Sequence, residues 1–134
     1  MSGFTLGVTR APFARAALDS IAHQIADVLD AVQASGAPVE SLLVDGGPTR
    51  NDQLMQFEAD MIGVPVERTD VAELSALGVA HLAGMSAGVF TREGLLRLDR
   101  GRMTFKPSCA AENRVRERKA WARAVARARG QSIQ

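Results

Sequence analysis

Apolar residues recur along this chain in two rhythms, one helical and one extended. From Pro12 to about Ala34 they fall at Phe13, Ala17, Leu18, Ile21, Ile25, Val28, Leu29 and Val32. Spacings of three and four residues predict a long amphipathic helix. Pro12 suits its first turn and Ser35-Gly36 its end. Before it, residues 3 to 9 read as extended. Leu42 to Val44 is a continuous apolar run, which predicts a short strand in a central position of a sheet. A second helix from about Arg50 to Ile62 places Leu54, Phe57 and Met61 on one face, with Glu58 and Asp60 outside, and Gly63 ends it. Val64-Pro65-Val66 then starts another strand. Proline has no N–H to give a ladder, so this strand is expected at an edge or with its N–H side unpaired. Strand, helix, strand in that order predicts a right-handed parallel crossover.

The next helix, about Val71 to Val89, is rich in small residues. Glycine inside a helix costs about 1 kcal/mol relative to alanine, so Gly78 and Gly84 call for close approach by a neighbouring helix or a ligand. A loop through Gly94, Gly101 and Pro107 leads to a last helix, about Ala110 to Arg129, whose apolar contacts are Val115, Trp121 and Val125. Trp121 reads as the anchor of that helix.

Composition bounds the answer without naming it. A chain of 134 residues, 46% of them apolar, is expected to form one core. No apolar run reaches the roughly 18 residues that a membrane span needs. The N-terminus has no basic stretch followed by an apolar one, so the expected location is cytoplasmic. With one cysteine, Cys109, and two histidines, His23 and His81, neither an internal disulfide nor a zinc site is expected. Residues 97 to 129 carry eleven Lys or Arg against three acids, while the remainder carries five against twelve. Such a basic block raises nucleic acid as a partner. However, its cations read as scattered around the helix and no stacking aromatics are interleaved. The expected role is a solvated surface, laid partly against the acidic remainder, with no nucleic-acid partner.

The run Val44-Asp45-Gly46-Gly47-Pro48-Thr49-Arg50-Asn51 carries the strongest chemical signal. An apolar strand ends in two glycines and enters an amphipathic helix, so the backbone can approach a ligand while helix N–H groups face it. Asp-Gly-Gly is also an ordinary tight turn. The continuation supplies specificity: Asn51-Asp52-Gln53-Leu54-Met55-Gln56-Phe57, then Gly63-Val64-Pro65-Val66-Glu67-Arg68, then Ala76-Leu77-Gly78. Together these segments closely resemble the C-terminal part of the FGGY carbohydrate kinases, and their details are most similar to the branch that phosphorylates glycerol. The resemblance runs over nearly the whole chain.

The resemblance implies an α/β fold, a partial actin-like (ribonuclease-H-like) ATPase domain with short parallel strands and long flanking helices. Residues 1–134 would be a single, incomplete domain, the C-terminal portion of the second kinase domain. It implies that Gly46 and Gly47 lie against the ribose and α-phosphate side of an adenine nucleotide and that Asn51 lies close to the adenine. ATP would be the co-substrate, with Mg²⁺, in the intact enzyme. The family's first phosphate loop, sugar-binding residues and aspartate base match nothing here, so no catalytic residue and no metal ligand is assigned. The expectation is a fragment inactive alone, weak in nucleotide binding, whose partner is the missing N-terminal kinase domain. An apolar face left open without the family's antiparallel strands predicts self-association. A free-standing module that associates with a partner subunit is the alternative.

Overall fold

A computed structural model describes residues 8–71, 73–98 and 100–130. The elements run α1 (Arg10–Ala34), β1 (Leu42–Val44), a 3₁₀ turn (Gly47–Arg50), α2 (Asp52–Ile62), β2 (Val66–Thr69), α3 (Leu74–Ser86), α4 (Arg92–Leu96), β3 (Arg102–Phe105) and α5 (Ala111–Ala128). Of the extended segment expected at 3 to 9, all but Val8 and Thr9 lies outside the described residues.

The three strands form one mixed sheet in the order β1-β2-β3. β1 and β2 are parallel, with Leu42 opposite Val66 and Val44 opposite Arg68. β2 and β3 are antiparallel, with Val66 opposite Phe105 and Arg68 opposite Met103. This corrects two expectations. The strand after Pro65 is central, because it begins at Val66 and the ladder never needs the proline N–H. Pro65 contributes its carbonyl, which accepts from the Leu42 N–H at 2.8 Å. Among the described residues β1 is at the edge of the sheet, and its middle residue Leu43 is 60% exposed. The third strand was expected to be loop, and it makes the sheet mixed instead of purely parallel.

Alternation along the strands sends Leu42, Val44, Val66 and Phe105 to one face. There they meet Leu54, Met55 and Ala59 of α2, and Ala22 of α1 completes the core. α2 thus packs on the sheet and on α1. Alanines at the α1–α2 contact, Ala22, Ala26 and Ala59, are fully or almost fully buried, and their short side chains let the two helix axes come close. The buried positions of α1 are Ala22, His23, Ala26 and Leu29. Phe13, Leu18, Val28 and Val32 stay exposed. Glu58, placed outside by the apolar pattern, is buried.

α5 is tied across α1 and α2 by polar contacts. Trp121 Nε1 donates to Asp27 at 2.8 Å, and its indole stacks on His23, with centroids 5.2 Å apart and planes 9° from parallel. The anchor role read from the sequence is therefore present, and His23 is one of its buried partners. Arg118 donates to the His23 carbonyl and to the carboxylates of Asp27 and Asp30. Asp60 accepts from the backbone N–H groups of Ser108 and Cys109. Arg114 Nε donates at 2.6 Å to the Asp60 carbonyl, at the helix end where a cation is favoured. Gly63, at φ 77°, ends α2 in the left-handed conformation that glycine adopts without cost. A Cβ there would come within 2.5 Å of the Arg114 guanidinium.

Two groups of cations therefore separate on α5. Arg114 and Arg118 face the body of the protein. Arg116, Lys119, Arg123 and Arg127, spaced by three, four and four residues, share one exposed face. The scattered reading of this block is corrected to that extent.

α3 has no buried residue, although it is apolar on every side. Val79, Leu82 and Met85 are exposed, as are Val89, Phe90, Leu96 and Leu98 beyond it. Gly84 has its close neighbour inside the chain, since a Cβ there would strike the Phe90 ring. A Cβ at Gly78 would meet open space. Among the described residues no helix is long and apolar enough to cross a membrane.

Candidate functional site

The exit from β1 and the entry to α2 form one continuous turn. Gly46 takes φ 95° and ψ 173°, a backbone conformation that side chains disfavour. Its carbonyl accepts from both the N–H and the hydroxyl of Thr49, at 3.1 Å and 2.8 Å. Thr49 is thereby buried under the turn. Pro48 at the second position suits the 3₁₀ geometry because its φ is already set.

Asn51 closes the turn and caps α2, its Oδ1 accepting from the Leu54 N–H at 3.1 Å. The capping bond occupies the carbonyl half of the side chain. No protein acceptor among the described residues takes its NH₂ group, and Asn51 is exposed. Gly46, Gly47 and Asn51 thus lie together on one turn, as their closeness in sequence requires.

Gly47 differs from Gly46 in what explains it. Its φ lies outside the positive range, and a Cβ built on it would meet nothing within 4 Å. Among the described residues no contact gives a reason for glycine at position 47.

A residue that sequence reasoning passed over holds the turn. Arg68, at the end of β2, donates through Nη1 to the Thr49 carbonyl and, at 2.8 Å, to Asp52 Oδ1. Nη2 lies 3.1 Å from Met103 Sδ, and the guanidinium carbon is 5.4 Å from the centroid of Phe105. The available signal was its register: in a parallel pair, the C-terminal end of one strand lies beside the C-terminal end of the other, where the glycines begin.

Beside Asn51 the surface dips into an open depression lined by Arg15, Leu18, Asp19, Asn51, Gln53 and Leu54. Arg15 and Asp19 are paired across one turn of α1 at 2.6 Å. Among the described residues no group of three His, Cys, Asp or Glu side chains could hold a metal ion, and we assign Mg²⁺ no ligand in this chain.

Two buried titratable groups lie away from the turn. Burial pushes the Glu58 carboxyl up to about 6. Burial, reinforced by the Arg118 charge, lowers the His23 imidazole below its usual range.

Strand, glycine turn and capped helix on a mixed sheet define an α/β domain with one backbone turn exposed at the end of its strands. The chain belongs to the FGGY family of carbohydrate kinases, its residues 1–87 matching the C-terminal domain of that family. Within the family it is similar to glycerol kinases. It is 47% identical over 134 residues to the glycerol kinase of Nitratidesulfovibrio vulgaris, covering 96% of this chain and 26% of that one. It is 50% identical over 127 residues to the glycerol kinase of Dechloromonas aromatica, covering 93% of this chain and 25% of that one. The structure is similar to that of Plasmodium falciparum glycerol kinase with ADP, at a TM-score of 0.77 and 30% identity over 99% of this chain and 26% of that chain. The fold is accordingly a portion of the ribonuclease-H-like, actin-type kinase fold. The chain spans about a quarter of the length of these relatives.

Proposed function

We propose that this chain is the adenosine-binding portion of the second domain of a carbohydrate kinase, with glycerol as the first candidate for phosphoryl acceptor. The backbone at Gly46 and Gly47 lies against the ribose and α-phosphate, and the Asn51 NH₂ group reads an edge of the base. The observation that carries this reading is Gly47, whose missing side chain serves no internal contact but leaves room for a ligand. The ADP named with the Plasmodium falciparum kinase supports it.

In the full reaction the γ-phosphoryl of ATP passes in line to a hydroxyl of the acceptor, with Mg²⁺ neutralising the charge. This chain supplies only the adenosine side, so it is inactive alone and binds nucleotide at about the millimolar level. The remainder of a kinase is its partner, and that remainder covers α3. A helix apolar around its circumference needs such cover. Without it, the bare face of α3 and α4 drives self-association of the isolated chain. The reading places the protein in the cytoplasm.

The test is a titration of the chain with ADP, following backbone amide signals by NMR. Shifts centred on Gly46, Gly47 and Asn51, lost in Gly47→Val, support the proposal. A Gly47→Val chain that titrates like the wild type places the site elsewhere.

A further inference from the structure

We propose that Arg68 is a positioning residue for the nucleotide turn, a reading that rests on the function proposed above. Its place in the sheet is the first argument. Position 68 lies in the same inward row as Leu42, Val44, Val66 and Phe105, where an apolar side chain would serve packing best. A guanidinium held there with its side chain only 18% exposed is costly unless its donors are used.

The second argument is what those donors reach. Thr49 lies before Asn51 and Asp52 after it, and a single nitrogen of Arg68 bonds to both. The link therefore spans the Asn51 backbone and fixes the angle at which the turn enters α2. Since Asn51 Oδ1 is committed to the Leu54 N–H, the direction of its NH₂ group follows from that angle. The position of Gly47 follows too, because Thr49 is bonded back to Gly46.

The third argument is geometric specificity. The rigid planar fork of arginine reaches the carbonyl, the carboxylate and the Met103 sulfur together, stacked near Phe105. A lysine has one point charge on a flexible stem and cannot reproduce that set. Arg68 touches no ligand in this account; it acts through Asn51 and Gly47.

The test compares wild type with Arg68→Lys and Arg68→Met, using the full chain. Amide spectra are recorded without ligand and through a titration with ADP up to ~10 mM, and thermal midpoints are measured alongside. The proposal expects Arg68→Lys to leave the Met55 and Ala59 amides in place, to displace those of Gly47 and Asn51, and to weaken ADP about tenfold, a loss of about 1.4 kcal/mol. Core amides that move as much as those of the turn would mean a merely structural role. An Arg68→Lys chain with unmoved turn amides and unchanged ADP affinity would overturn the proposal, and Arg68→Met decides the same question with the charge removed. If the wild type shows no ADP shifts, the nucleotide reading fails. The ligand-free amides of Gly47 and Asn51 then still decide whether Arg68 sets the turn: displaced in Arg68→Lys they uphold it, unmoved they refute it.

Discussion

α2 and α3 are adjacent helices of similar length with opposite fates. α2 is amphipathic and buries Leu54, Met55, Glu58, Ala59 and Met61. α3 is the more apolar of the two in composition, yet buries nothing. Hydrophobicity alone therefore does not decide which helix builds the core. α2 has a sheet on one side and the alanines of α1 on the other, so its apolar stripe is matched by complementary surface. α3 has apolar residues pointing in every direction, and among the described residues none of its side chains is fully buried. The site follows the same division: the turn at Gly46 to Asn51 belongs to the packed region, held by β1, α2 and Arg68.

The contrast predicts a hierarchy of mutational effects. Leu54→Ala or Met55→Ala is expected to cost about 3 kcal/mol, since each leaves a cavity in the core. Leu82→Ala or Val79→Ala is expected to change stability by less than about 0.5 kcal/mol, as at other exposed sites. Urea unfolding of the four variants checks this, and equal losses in both helices would dissolve the contrast.

Glu58 gives a smaller effect with a definite pH dependence. Its carboxyl rises from 4.5 unfolded to about 6 folded, so the folded state binds the proton more tightly. Stability is then fully present below pH 4.5 and falls as pH rises through about 6. Glu58→Gln should stabilise the protein by about 2 kcal/mol at pH 8 and give no advantage below pH 4.5. His23 works in the opposite sense. Its depressed folded value means that stability is lost as pH falls below 6.5, the range in which an unfolded histidine takes up its proton. Removing the Glu58 contribution therefore moves the pH of greatest stability upward. Thermal melts between pH 4 and 8 provide the measurement, and a variant profile parallel to the wild type would show that the carboxyl is not desolvated.

Asp60→Ala should cost about 1 to 2 kcal/mol by stranding the donors of Ser108 and Cys109, and should loosen α5 before α2. Selective loss of protection in 111–128 by hydrogen exchange is the expected sign. Leu82→Glu combined with Leu96→Glu should change stability least. It should nevertheless convert a self-associating chain into a monomer in sedimentation velocity; a monomeric wild type would contradict self-association through the face of α3 and α4.

What was legible in the sequence was local. The 3.6-residue period found α1, α2 and α5, and Gly63 marked the end of α2. The candidate site was legible for the same reason, since Gly46, Gly47 and Asn51 lie within six residues of one another. Of the pairings between distant segments, the parallel pair of β1 and β2 was legible from the strand, helix, strand order, and the antiparallel partner β3 was not. β3 is four residues, Arg-Met-Thr-Phe, too short for its alternation to stand out between Gly101 and Pro107. Pro65 made β2 look like an edge, and the wholly apolar run Leu42 to Val44 made β1 look like a centre. Glu58 was misplaced because a pattern of apolar residues assigns polar ones to the outside, and the same pattern gives no sign that His23 is buried. The cost of burying them shows only in three dimensions, in the displaced titration of Glu58 and in the stacking of His23 on Trp121. Arg68 was missed because its role depends on the register of two parallel strands.

The most direct test of the whole account is hydrogen exchange along the chain with and without millimolar ADP. The account predicts slow exchange over 54–62, rapid exchange over 74–86 at concentrations where the chain is monomeric, and ADP-dependent slowing confined to 46–51. Protection of α3 equal to that of α2 in the monomer, or a nucleotide response absent from the turn, would contradict it.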